Sequence, residues 1–207
     1  MTGKVIQEQF GQAIIDAMAA FAKKDIKTVA ELEADEFSHV SAPAMRAALA
    51  ETLYGARWLY KIGLAMLASN QEQSPHVRAQ IIDYASVSEA LLADIIVQAY
   101  KKGLLTGPTW QRKVHWQTTP LAWNPTNPEI TVGKTTFEWR IMVAHESRII
   151  DDFLRSELNS IRTRRNTVHL TAKINEGVSY YAGMAKRSLT AMHKTIDQTK
   201  DWVAAHP

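Results

Sequence analysis

Apolar positions recur every three or four residues over long stretches of the chain, and few runs alternate with the two-residue period of a strand. Met45, Leu49, Leu53, Ala56, Tyr60, Leu64 and Leu67 form one such stripe, with Pro43 near its start. Ser74 and Pro75 read as an N-cap and first-turn pair for a second helix that runs to about Lys102. Gly103 follows where a C-terminal stop belongs. A third stripe comprises Val178, Tyr181, Ala185, Leu189, Met192, Ile196, Thr199 and Val203. A fourth comprises Ile150, Leu154, Leu158, Ile161 and Val168, with Arg165 inside its spacing. The pattern predicts an all-α protein, an antiparallel helical bundle.

Two regions break it. Residues 1–42 read as one or two helices forming an N-terminal arm on a bundle of residues 43–207. The acidic block Asp25–Glu36 is expected on the arm's outward face. Residues 103–135 carry three glycines, four prolines and three of the six tryptophans, which predicts a loop-rich insertion. A short hairpin is expected there, around Trp110–Trp116 and Ile130–Val132. Trp110, Arg112, Lys113, His115 and Trp116 interleave aromatic and basic side chains, a pattern able to stack and neutralise single-stranded nucleic acid. Covering the bundle is the favoured role for these tryptophans.

Composition narrows the classes. The 207 residues are 46% hydrophobic and 22% charged, an ordinary globular balance. With no cysteine, a disulfide framework, a cysteine zinc site and a thiol nucleophile are all excluded. There is no Gly-rich phosphate loop. The first residues lack a signal-peptide pattern, and no apolar run reaches membrane-span length, so a soluble, cytoplasmic protein is expected. Net charge is +3, but Arg155 to Lys173 alone holds a net of +4, which suits an acidic partner if chemistry lies in the same block.

It does. Within Ile149–Lys173, Arg162, Asn166 and His169 are four and three residues apart and would share one face of a continued helix. Arg165 lies beside them on the apolar stripe, and Arg164 points farthest from both. Arginine grips phosphate bidentately and stabilises charge in a phosphorane-like transition state. Histidine shuttles a proton to or from a 2′-hydroxyl near neutral pH, and asparagine orients either group. Phosphodiester cleavage in RNA suits this set, and it needs neither metal nor cofactor. Glu89 sits among apolar neighbours on the helix at 78–101, where an unpaired carboxylate is costly, and an arginine of the 162–165 group is its natural partner.

The run Ile161–Leu170, IRTRRNTVHL, resembles the signature of HEPN domains, in which an arginine, often followed by asparagine, precedes a histidine. Ile82–Ile96 and Phe137–Asp151 resemble the helices that precede that motif, so the resemblance spans roughly residues 76–204. It implies an all-α bundle, a homodimer whose two motifs share a cleft, and a metal-independent endoribonuclease of toxin–antitoxin, antiviral or RNA-processing systems, with an antitoxin or regulatory protein as a further partner. Some such domains are silent binding modules. The resemblance assigns Arg162, Arg165, Asn166 and His169 to catalysis, with Glu89 and Arg164 in support. The usual interval in that family is four to six residues between arginine and histidine; Arg164 leaves four, Arg162 six and Arg165 three, so the catalytic arginine stays open. Thr171 stands where one subgroup carries a modified tyrosine. RNA contacts are expected from Lys173, Arg112, Lys113 and Trp116.

The remaining candidates read as structural. His145, Glu146, Asp151 and Asp152 suit helix capping and solvent contact better than a metal. His115 reads as a loop residue, and His39, His76, His193 and His206 have no companions at ligand spacing. Trp58, Tyr60, Tyr180 and Tyr181 read as core packing.

Overall fold

A computed structural model describes residues 8–9, 11–166 and 180–207 of the chain. The described residues form eight α-helices and no strand. They are α1 (Gln12–Lys23), α2 (Val29–Asp35), α3 (Pro43–Ala65), α4 (Asn70–Lys101), α5 (Pro128–Gly133), α6 (Phe137–Glu146), α7 (Asp152–Asn166) and α8 (Ala182–Ala205). The protein is all-α, as the apolar spacing predicts. No described helix is long and apolar enough to cross a membrane.

α4 is the axis. It packs against α3 and α8 on one side and α5, α6 and α7 on the other, while α1 and α2 rest on α3. Its sequence explains this. Tyr84, Val87 and Leu91 join a core with Leu49 and Leu53 of α3 and Met192 and Ile196 of α8. Leu92, Ile95 and Ile96 belong to a second core with Trp139 of α6 and Leu154 and Leu158 of α7. A helix apolar on two sides has to be covered on both. Leu32, Phe37 and Val40 are buried in the first core, so the segment after α1 packs with the bundle.

Neighbours in sequence form antiparallel pairs. Gly63 of α3 lies beside His76 of α4, and Arg187 of α8 bonds Glu157 of α7 while Gln198 reaches Asp151. α4 and α8 run parallel instead. Val77 packs with Ala185 near their starts, and Lys102 donates to the His206 carbonyl at their ends. Three described helices, α5 to α7, lie between them in sequence, so no short turn forces them antiparallel.

α4 begins after Ser69, one turn before the Ser74–Pro75 start that the sequence suggests, and contains Pro75. Proline there removes one N–H and leaves the rest of the helix intact. The far end matches expectation. Gly103 has φ +68°, the Leu104 N–H donates to Ala99 and the Gly103 N–H to Tyr100, a Schellman closure.

The insertion folds onto the bundle without the predicted hairpin. Thr109–Gln111 is a 3₁₀ turn, Arg112 and Pro120 form an isolated antiparallel bridge, and Ile130–Val132 lies in α5. Pro128 at the start of α5 favours a helix over a paired strand there. Trp123 stacks on Tyr100 at 4.1 Å between centroids, meets Trp110 edgewise and lies tilted against Trp139. The Trp139 indole N–H donates to the Arg112 carbonyl at 2.7 Å. Trp110 and Trp123 cover the bundle, the favoured role, whereas Trp116 is exposed and does not.

Candidate functional site

The end of α7 is held from three directions. At its start, the Asp151 carboxylate accepts from the Leu154 N–H at 2.6 Å and from the Gln198 amide of α8 at 2.8 Å. Leu154, Leu158 and Ile161 are then buried on one face, as the stripe predicts. Val168, His169, Thr171 and Lys173 lie outside the described residues. One turn beyond Ile161, Arg165 continues the buried face and meets Glu89 of α4.

Glu89 is the pivot. One of its carboxylate oxygens pairs with Arg165 and the other with Arg140 of α6 at 3.6 Å. The pairing of Glu89 with Arg165, expected from sequence, is therefore present, with a second arginine on the same carboxylate. Arg140 is 9% exposed. It also donates to the carbonyls of Glu89 (3.3 Å) and Val132 (3.0 Å), and to the hydroxyl and carbonyl of Thr135 (both 3.2 Å). Burial pulls the Arg140 guanidinium below its usual range, the Glu89 charge opposes that, and Arg165 adds to it. A buried guanidinium needs this density of acceptors. The sequence reading missed Arg140. The signal is the one that found Glu89, a charged residue between apolar neighbours, here Trp139 and Ile141.

The flanks of α7 divide the remaining arginines. Arg162 turns toward α6 and donates to Glu138 at 3.5 Å. Arg164 is half-buried on the opposite flank, where its charge helps hold the Glu157 carboxyl below the usual range, behind the larger effect of the Arg187 hydrogen bond. Arg164 is expected to point farthest from both stripes, and the flank it occupies is itself packed. It lies seven residues after Glu157, nearly the same angle on a helix, and α8 packs there. Asn166 is exposed at the helix end. Three arginines thus converge on two carboxylates, Glu89 and Glu138, leaving a net positive site with part of Arg165 open to solvent. Such a site can hold a phosphate diester with fixed donors, because its guanidinium groups are already oriented.

The other candidates fall elsewhere. Arg112 donates to the His115 carbonyl within its own loop at 3.4 Å, while Lys113 and Trp116 are exposed on the insertion. His145 lies 3.0 Å from Asp152, which also pairs with Arg155. Glu146 accepts from the Thr109 N–H at 2.9 Å and fastens the insertion. No cluster of three or more metal-ligating side chains occurs among the described residues. Of the four aromatics read as core, only Tyr180 is buried, whereas Trp58, Tyr60 and Tyr181 are exposed. Helical spacing marks a face as apolar but not which end of a long helix has a neighbour to cover it. Comparisons with family models, with curated proteins and with solved structures find nothing that matches this chain.

Proposed function

We propose that this chain is a metal-independent endoribonuclease of HEPN type, with Arg162, Arg165, Asn166 and His169 as its reacting set. The observation that carries the reading is the half-buried Glu89 carboxylate gripping Arg140 and Arg165, the first residue of the R-N-x-V-H-L run. An apolar helix stripe gains nothing from an arginine unless that arginine has a task. Arg162 and Arg165 hold the scissile phosphate and stabilise the charge that builds on its oxygens. His169 takes the proton from the 2′-hydroxyl as oxygen attacks phosphorus. The P–O5′ bond breaks and the leaving oxygen receives a proton, leaving a cyclic phosphate and a 5′-hydroxyl. A second copy of the chain, related by a two-fold axis near α7, supplies a second histidine for that last transfer. The resemblance implies a role in phage defence, toxin–antitoxin or stress response, and the cytoplasm is the proposed compartment.

Single-turnover RNA cleavage in excess chelator is the test. Cleavage that survives chelation and disappears in His169→Ala is the expected result. Dependence on a divalent metal, or full activity in His169→Ala, overturns it. An RNA complex that forms and is never cut assigns the chain to the silent binding modules instead.

A further inference from the structure

A second site lies away from the arginine cluster, where the α3–α4 hairpin meets the start of α8. The three helices enclose a cavity of about 430 Å³. Leu64, Val77 and Leu189 give it apolar walls. That volume and lining suit a small organic ligand.

Among the described residues, its charged groups all have one sign. Arg57 of α3 and Lys186 of α8 line the cavity, and no described aspartate or glutamate does. Neither cation forms an ion pair among the described residues. Arg57 is half-buried and sits over the Tyr60 ring, 5.4 Å from its centroid. It also acts on the buried Tyr84 phenol, which burial pushes up and the guanidinium pulls back. Arg57 thus has the Tyr84 phenol and the Tyr60 ring as neighbours, and no carboxylate among the described residues. His76, also in the lining, has a buried Nδ1 with no hydrogen-bond partner.

We infer that this cavity binds a small amphipathic anion, a carboxylate with an apolar tail. The carboxylate lies between Arg57 and Lys186, with His76 as a further donor, and the tail lies against Leu64, Val77 and Leu189. The site is independent of the ribonuclease reading and needs no RNA.

Titration calorimetry on the full chain, read together with Trp58 fluorescence, tests it with decanoate and with decyltrimethylammonium, which have matched tails and opposite heads. Decanoate should bind saturably with one-to-one stoichiometry, and the ammonium should not. Arg57→Gln and Lys186→Gln should each weaken decanoate binding about tenfold or more. Gly63→Leu, on the cavity wall beside the His76 ring, should fill the space and abolish binding. Lys194→Gln, outside this cavity, should leave binding unchanged. Equal binding of both amphiphiles, non-saturating uptake, or full affinity in Arg57→Gln and Lys186→Gln would overturn the inference.

Discussion

At the scale of single residues, two arginines on one carboxylate make unequal contributions. Arg165→Ala leaves Glu89 with Arg140, so the carboxylate is not orphaned. The loss should be about 1–2 kcal/mol, the value of a partly exposed charged hydrogen bond. Arg140→Ala takes one donor from each of four backbone and hydroxyl acceptors and leaves half of Glu89 unpaired. It should cost about 3–5 kcal/mol, the range for a broken buried pair. Denaturant melts of the two variants give the ranking, and equal losses would remove Arg140 from the centre of the cluster. His39 sets a pH limit in the same way. The Thr199 hydroxyl donates to the Thr195 carbonyl at 2.7 Å, so His39 Nε2, 2.9 Å from that oxygen, is the donor between them. The proton-free Nδ1 is buried without a partner. Burial, with the charge of Lys200, lowers the His39 pKa from 6.5 to about 4. The unfolded chain therefore binds this proton first as pH falls. Its contribution to stability is complete above pH 6.5 and is lost toward pH 4. The melting temperature should drop across that interval, and less steeply in His39→Gln.

At the scale of elements, the insertion is fastened where one glycine allows it. Gly107 has φ +75°, and a Cβ there would overlap the Glu146 carboxylate that accepts from the Thr109 N–H. Gly107→Ala combines left-handed strain with that displacement and should cost about 2 kcal/mol or more. A melt resolves it, and a neutral result would mean that the loop has a second way to dock. Helix positions and ends were legible in the sequence where the code is local. The 154–158–161 stripe, the Gly103 stop and the Glu89–Arg165 pairing all follow from spacing and the cost of an unpaired charge. What escaped depends on distant neighbours. Arg140 meets Glu89 only through the packing of α6 on α4, the side of Arg164 depends on α8, and the exposure of Trp58 and Tyr60 depends on which helices pack beside α3. The insertion misled for another reason. β-prone residues beside Pro128 can form a helix once tertiary contacts select one.

At the scale of the whole molecule, net charge understates the polarity of one face. Arg187, Lys186 and Lys194 of α8 line a groove beside Phe153 and Glu157 of α7, and Arg164 adds its charge there. If RNA follows this groove to the motif, binding should weaken linearly on a log–log plot against salt, as counterions are released. Arg164→Ala should lower that slope by about 0.7, the value for one phosphate of a single strand, while His169→Ala leaves it unchanged. Filter binding across a salt series measures both. A slope that ignores Arg164 takes that flank out of the RNA path.

The placement of α4 between two cores has a consequence for how the molecule comes apart. Opening either core exposes one side of the same helix, so neither half can melt and leave the other whole. The chain should lose structure as one cooperative unit, with fluorescence and far-ultraviolet dichroism giving the same midpoint. Backbone amides from Ile81 to Ala99 should be the last to exchange with deuterium, at rates set by global unfolding alone.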